Sequence, residues 1–194
     1  MTGFDTYRLE TAITDFGNLA ITGPVAAALL AWIAWRWGLA AAWRVAWPVA
    51  FVFAATVVLK MVSRSIGSSV PLGAFALSRG APSGHMAMAT IVFGGPTLML
   101  LRRGLQPAAL LIAMFTGAIL VGIAVTRVTL HTHTPADVVA GLLLGGLAAI
   151  WLVRWLPVPP WVGRREIAEL LALGVGVAVL MHLSGYRFDS TTFI

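Results

Sequence analysis

Three of the four histidines fall in two short stretches. His85 ends the run Pro82-Ser83-Gly84-His85. His131 and His133 lie between Arg127 and Asp137. Together with Lys60, these residues make an anion site with histidines and one carboxylate. Phosphoryl transfer needs positive groups around the equatorial oxygens, an in-line nucleophile and an acid for the leaving oxygen. This set holds all three kinds of group.

Each residue also has a plainer role open to it. Pro82-Ser83-Gly84-His85 reads as a helix start with Ser83 at the N-cap. There the free N–H groups and the positive end of the helix dipole suit a phosphate, and Gly84 permits close backbone approach. The same residues equally suit an ordinary cap and turn. Thr134-Pro135-Ala136-Asp137 is a second helix start, with Thr134 as N-cap, Pro135 at the first position and Asp137 at the third. Asp137 is therefore either a capping acid or the acceptor that orients His133, four residues earlier. Arg127 and Lys60 close apolar runs, where basic side chains also serve as interfacial anchors. His131 reads as a loop residue and His182 as a polar cap to the last apolar segment.

These residues need elements to hold them, and composition says what kind. The chain has 194 residues, 59% of them hydrophobic and 10% charged, with a mean hydropathy of +0.91. Soluble domains carry about 25% charged residues. Six apolar segments stand out, over residues 18–36, 44–63, 84–101, 106–127, 136–156 and 167–185, each near the roughly 20 residues that span a bilayer. Backbone in lipid must satisfy its own hydrogen bonds, and strand-like alternation is missing. The expectation is an all-α integral membrane bundle of six transmembrane helices, forming one domain over residues 1–194. A short interfacial helix over residues 4–16 precedes it, with Phe4, Leu9, Ile13 and Phe16 on one face. The small-xxx-small pair Gly141 and Gly145 is common by chance in apolar sequence and carries little weight.

With six spans, the loops near 37–43, 102–105 and 157–166 share one side. All eight tryptophans gather there: Trp32, Trp35, Trp37, Trp43, Trp47, Trp151, Trp155 and Trp161. Arg36, Arg44, Arg102, Arg103, Arg154, Arg164 and Arg165 join them. By the positive-inside rule that side is cytoplasmic. Both termini and the histidine-bearing loops then face outward from an inner, multi-pass cell membrane. The polar, acidic opening stretch lacks the basic start of a cleaved leader. The net charge of +6 is scattered singly between apolar runs, which fits membrane anchoring and not nucleic-acid binding. The absence of cysteine excludes disulfides, thiolate metal sites and a cysteine nucleophile.

Over about residues 55–145 the sequence resembles the type 2 phosphatidic acid phosphatase superfamily, in its membrane lipid phosphatase branch. The family's second motif, P-S-G-H, is intact as Pro82 to His85. Its third, S-R-x5-H-x3-D, is present as Thr126, Arg127, His133 and Asp137, with threonine replacing serine. Its first, K-x6-R-P, is degraded: Lys60 is followed by Gly67 and Ser68 where arginine and proline belong. Arg64, one helical turn from Lys60, is the candidate replacement, with Arg79 the second choice.

The resemblance implies a phosphatase for a lipid phosphate or pyrophosphate, working through a phosphohistidine on His133. Asp137 would orient His133, and His85 would protonate the leaving group and then activate water. Lys60, Ser83, Gly84 and Arg127, with Arg64, would hold the phosphate. No metal or other cofactor is implied. The rival readings are a lipid phosphotransferase on the same scaffold and a non-enzymatic channel or transporter. The latter would place charges deep within several spans, whereas here they cluster at span ends.

Overall fold

The computed structural model describes residues 3–65, 77–78, 80–102, 107–156 and 163–186. Arg79, Gly67, Ser68, Arg103 and Trp161, all invoked above, lie outside the described residues. The regular elements are helical: α1 (Gly3–Asp15), α2 (Leu19–Trp37), α3 (Leu39–Ser65), α4 (Gly84–Ala89), a π-helical turn (Thr90–Gly94), α5 (Gly95–Arg102), α6 (Pro107–Thr129), α7 (Pro135–Trp155) and α8 (Arg164–Leu183). Among the described residues there is no strand.

Among the described residues, five helical runs are long and apolar enough to cross a membrane: Asp5–Trp37, Leu39–Ser65, Gly84–Arg102, Ala109–Thr129 and Pro135–Trp155. The segment expected as a sixth span is helical, as α8, but its apolar part, Ala168–Leu183, is shorter than the five. Charged residues occupy its first turns, where the Glu166 side chain accepts from Gly163 N–H at 2.9 Å. Outward faces are apolar, with Phe115, Leu111, Leu147 and Val121 all well exposed. A water-soluble bundle would turn such faces inward; in lipid they meet their own kind.

Local chemistry sets the helix ends. Asn18 caps α2, its Oδ1 accepting from Ala20 N–H at 2.9 Å. Gly38, at φ 90°, alone separates α2 from α3, so the loop expected over 37–43 is instead a one-residue turn. A left-handed φ of this kind suits a residue without Cβ. At 27 residues, α3 is about 40 Å long. It therefore outruns a hydrocarbon core of about 30 Å and lifts its Lys60 end toward the headgroups. The run Gly84–Arg102 is continuous, but it widens into a π turn just before Pro96. Proline cannot donate to the preceding turn, and the wider turn accommodates the lost bond.

The central packing is α7 against α4, α3, the π turn and α5, while α2 packs on α8 and α3, and α1 on α6. The α4–α7 contact is backbone on backbone. A Cβ on Gly141 would come within 2.5 Å of Ser83 O, and one on Gly145 would collide with Ala87 O. The glycine pair that looked incidental in the sequence is what lets the two motif-bearing helices touch. A helix is present where one was expected near the start, as α1 (Gly3–Asp15). Its Ile13 lies over Gly122 of α6, while Tyr7 and Leu9 are exposed.

Polar groups separate to the two ends. At one end Arg36 pairs with Glu166 at 3.0 Å, Trp32 Nε1 donates to Glu169, and Arg102 donates to Val153 O. All seven described tryptophans lie toward this end of their helices. Lys60, His85, Arg127, His133 and Asp137 lie at the other.

Candidate active site

His133 sits in the turn between α6 and α7. That turn is built on the last carbonyl groups of α6: His133 N–H donates to Arg127 O at 3.1 Å and Thr132 Oγ1 to the same oxygen at 3.0 Å. His131 takes the left-handed conformation, φ 53°, that reverses the chain. It is exposed and serves the turn, as expected of a loop residue.

Asp137 begins α7 and is completely buried. Both roles left open for it are present at once. Thr134 Oγ1 accepts from Asp137 N–H at 3.2 Å, and Asp137 Oδ2 accepts from Thr134 N–H at 3.0 Å, closing a capping box. The same Oδ2 lies 3.3 Å from His133 Nδ1. Its other oxygen accepts from Ser78 N–H at 2.9 Å. A carboxylate only accepts, so neutral His133 carries its proton on Nδ1 and leaves the Nε2 lone pair free. Burial, then the charge of Arg127, outweigh the pull of Asp137 and hold the His133 pKa down to about 4. At neutral pH this imidazole is uncharged and nucleophilic.

Across the pocket, Ser83 N–H donates to Asp137 O at 2.9 Å, which binds the second motif to the third. Ser83 occupies the N-cap position, but its hydroxyl makes no cap bond. Its Oγ is buried without a partner, and so is Arg127 Nε. Two such buried polar atoms so near the His133–Asp137 pair in the fold are costly unless a ligand satisfies them. The Lys60 ammonium lies against Gly84, 3.6 Å from where a Cβ would stand. His85 is within electrostatic reach of Arg127, His133 and Lys60. Arg64 is exposed, one turn beyond Lys60 and within its electrostatic reach.

The fold thus gathers Lys60, Ser83, Gly84, His85, Arg127, His133 and Asp137 at one end, with Arg64 at the rim. Three further residues had no sequence signal. Ser78 fixes Asp137 from a distant loop. Gly80 lies beside His133, and a Cβ there would stand in ordinary contact, 3.7 Å from His133 Cε1. Gly17, in the α1–α2 turn, abuts His85: a Cβ there would fall 2.9 Å from His85 Cβ. Their partners are remote in sequence, so no local pattern announces them.

A model of the PAP2 superfamily matches residues 60–160, just over half of the chain. The chain belongs to that superfamily, whose members are phosphatases acting on phosphate esters. At that level it is a membrane-embedded phosphoric monoester hydrolase. No curated protein and no solved structure shows significant similarity to it.

Proposed function

We propose that the chain hydrolyses a lipid phosphate or lipid pyrophosphate through a phosphohistidine on His133. The supporting observation is the His133–Asp137 pair, which leaves Nε2 free beside two buried, unpartnered donors, Ser83 Oγ and Arg127 Nε. In the first step Nε2 attacks phosphorus, the P–O bond to the lipid breaks, and His85 gives its proton to the leaving oxygen. Asp137 stabilises the charge that develops on His133. Lys60, Arg127, Ser83 Oγ and the Gly84 backbone hold the equatorial oxygens, and Arg64 stands in for the missing motif arginine. In the second step His85 takes a proton from water as the water attacks phosphorus. The P–N bond breaks and phosphate leaves.

The helix α8 completes six spans in this reading, and α1 lies at the interface. The tryptophan-rich end faces the cytoplasm of an inner membrane and the histidines face outward. The test is to trap labelled phosphoenzyme, acid-labile and base-stable, with lipid phosphate as donor. Label retained by His133→Ala would sink the assignment.

A further inference from the structure

The two histidines of the site are held in different ways. His133 has a carboxylate partner in Asp137. His85 has the charges of Arg127, His133 and Lys60 nearby, but among the described residues no hydrogen bond holds its ring. Packing must therefore fix it, and the packing comes from the turn between α1 and α2.

That turn reaches His85 with bare backbone. A Cβ on Gly17 would fall 2.9 Å from His85 Cβ, 3.0 Å from its carbonyl oxygen and 3.2 Å from its carbonyl carbon. Non-bonded carbons rest about 3.5–4.0 Å apart, so even alanine would force a shift of about 0.6–1 Å. The backbone itself does not ask for glycine there, since the glycines with positive φ are Gly38 and Gly185. The contact with His85 is what excludes a side chain.

His85 cannot retreat from the turn. Ser83, Ala87 and Thr90 lie against Gly141 and Gly145 of α7. At 100° per residue, His85 stands about 150° around α4 from that face. The helix is thus gripped from nearly opposite sides, by α7 and by the turn. The turn is anchored in its own right. Gly17 N–H donates to Thr14 O at 3.0 Å and Asn18 N–H to Asp15 O at 2.8 Å. Phe16 stacks on His182 with ring centroids 5.1 Å apart. Ile13 Cγ2 would stand 2.9 Å from a Cβ on Gly122, whose carbonyl accepts from Thr126 Oγ1 at 2.8 Å, one helical turn on and next to Arg127. So α1 spans from the helix that carries Arg127 to the residue that carries the acid. It lies outside residues 60–160, which the superfamily model matches.

We propose that the α1–α2 turn is a positioning element for the acid–base step, with Gly17 as the positioning residue that sets where His85 meets the leaving oxygen and the water. The proposal rests on the reading of His85 as acid and base given above. A misplacement of about 1 Å can cost about a hundredfold in rate.

The test compares Gly17→Ala, His85→Ala and the double variant, with Gly23→Ala as control because a Cβ there meets only Leu19 Cδ1, at 3.8 Å. Single-turnover rates are measured on dioleoyl phosphatidic acid, whose alkoxide needs a proton to leave, and on p-nitrophenyl phosphate, whose phenolate does not. Gly17→Ala should lose about a hundredfold on the lipid and stay within about threefold of wild type on the aryl ester. On the aryl ester it should also show a burst of p-nitrophenolate, because His85 is needed again to activate water. In the His85→Ala background Gly17→Ala should add nothing on the lipid, since residues acting as a unit are not additive. Gly23→Ala should match wild type. If Gly17→Ala does not fold by thermal unfolding in detergent, Ile13→Ala carries the same test, with an expected lipid-selective loss of about tenfold. No loss, an equal loss on both substrates, or a full further loss in the double variant would overturn the proposal. A His85→Ala protein as fast as wild type on the lipid would overturn the acid assignment instead, and a wild type inert on both substrates the phosphatase reading itself; this inference would fall with either.

Discussion

Asp137→Asn and Thr134→Ala separate the two tasks that meet at the start of α7. Asp137 accepts from Ser78 N–H, Thr134 N–H and His133 Nδ1 through two oxygens. Asparagine keeps one acceptor and turns an amide NH₂ toward the remaining donors. At least one buried N–H then loses its partner, costing about 1–3 kcal/mol of stability. The NH₂ also favours the His133 tautomer protonated on Nε2, which removes the attacking lone pair. The same carboxylate-to-amide change costs about 10⁴ in kcat in a serine-protease triad, and a loss of about 10³–10⁴ is expected here. Thr134→Ala removes the acceptor for Asp137 N–H and leaves the carboxylate's own partners in place. It should cost about 1 kcal/mol and leave kcat within about threefold of wild type, because Ser78 still holds the carboxylate. The assay is thermal unfolding in detergent beside kcat on a lipid phosphate. If both variants lost activity only in proportion to stability, Asp137 would be a cap and nothing more.

Three other outcomes follow. Ser83→Ala should leave thermal stability unchanged, since Oγ bonds nothing in the protein, yet raise KM by about tenfold or more through the lost bond to a charged phosphate; an unchanged KM would place the phosphate elsewhere. Because His133 titrates near 4 in the fold against an ordinary 6.5, kcat/KM should hold steady down through pH 5 and fall as pH drops through about 4. The folded state resists protonation there, so this residue's contribution to stability is complete above about 6.5 and declines as pH falls toward 4; an acid limb set near 6.5 would contradict the buried, neutral imidazole. In this cysteine-free chain, single cysteines at Thr6 and Tyr186 should react with an impermeant thiol reagent on intact cells while one at Gly163 should not; the reverse labelling would turn the site toward the cytoplasm.

How far the sequence could be read depended on how local each signal was. The apolar segments and their caps are local, and the helices start and stop within a few residues of the hydropathy boundaries. The Thr134 capping box was legible from four consecutive residues. The chemical set was legible too, because Lys60, His85, Arg127, His133 and Asp137 are rare residue types in an apolar chain. What stayed hidden was long-range. Residues 37–43 read as a loop, yet leucine, alanine and tryptophan there carry helix right up to either side of Gly38. Nothing near Ser78 or Gly17 marks the one as a donor to Asp137 or the other as the wall behind His85. The apolar cavity lined by α2, α5, α6 and α8 arises from their packing together, and each helix alone looks only apolar. Glu169 falls within the apolar segment read over 167–185, and the apolar part of α8, Ala168–Leu183, is correspondingly short.

The glycine contact between α4 and α7 acts as a gauge block. With Ser83 O and Ala87 O seated against Gly141 and Gly145, the spacing of the two helix starts that carry His85 and Asp137 is set by backbone dimensions. Membranes differ in thickness by several ångströms, and helices respond by tilting. In this bundle α8 packs chiefly on α2 while α4 and α7 pack closely on each other, so tilt is expected to fall on α8 and to leave the α4–α7 pair intact. The reach between nucleophile and acid should therefore stay constant from thin bilayers to thick ones, and the enzyme's sensitivity to its host membrane should show in substrate entry and not in the chemical step.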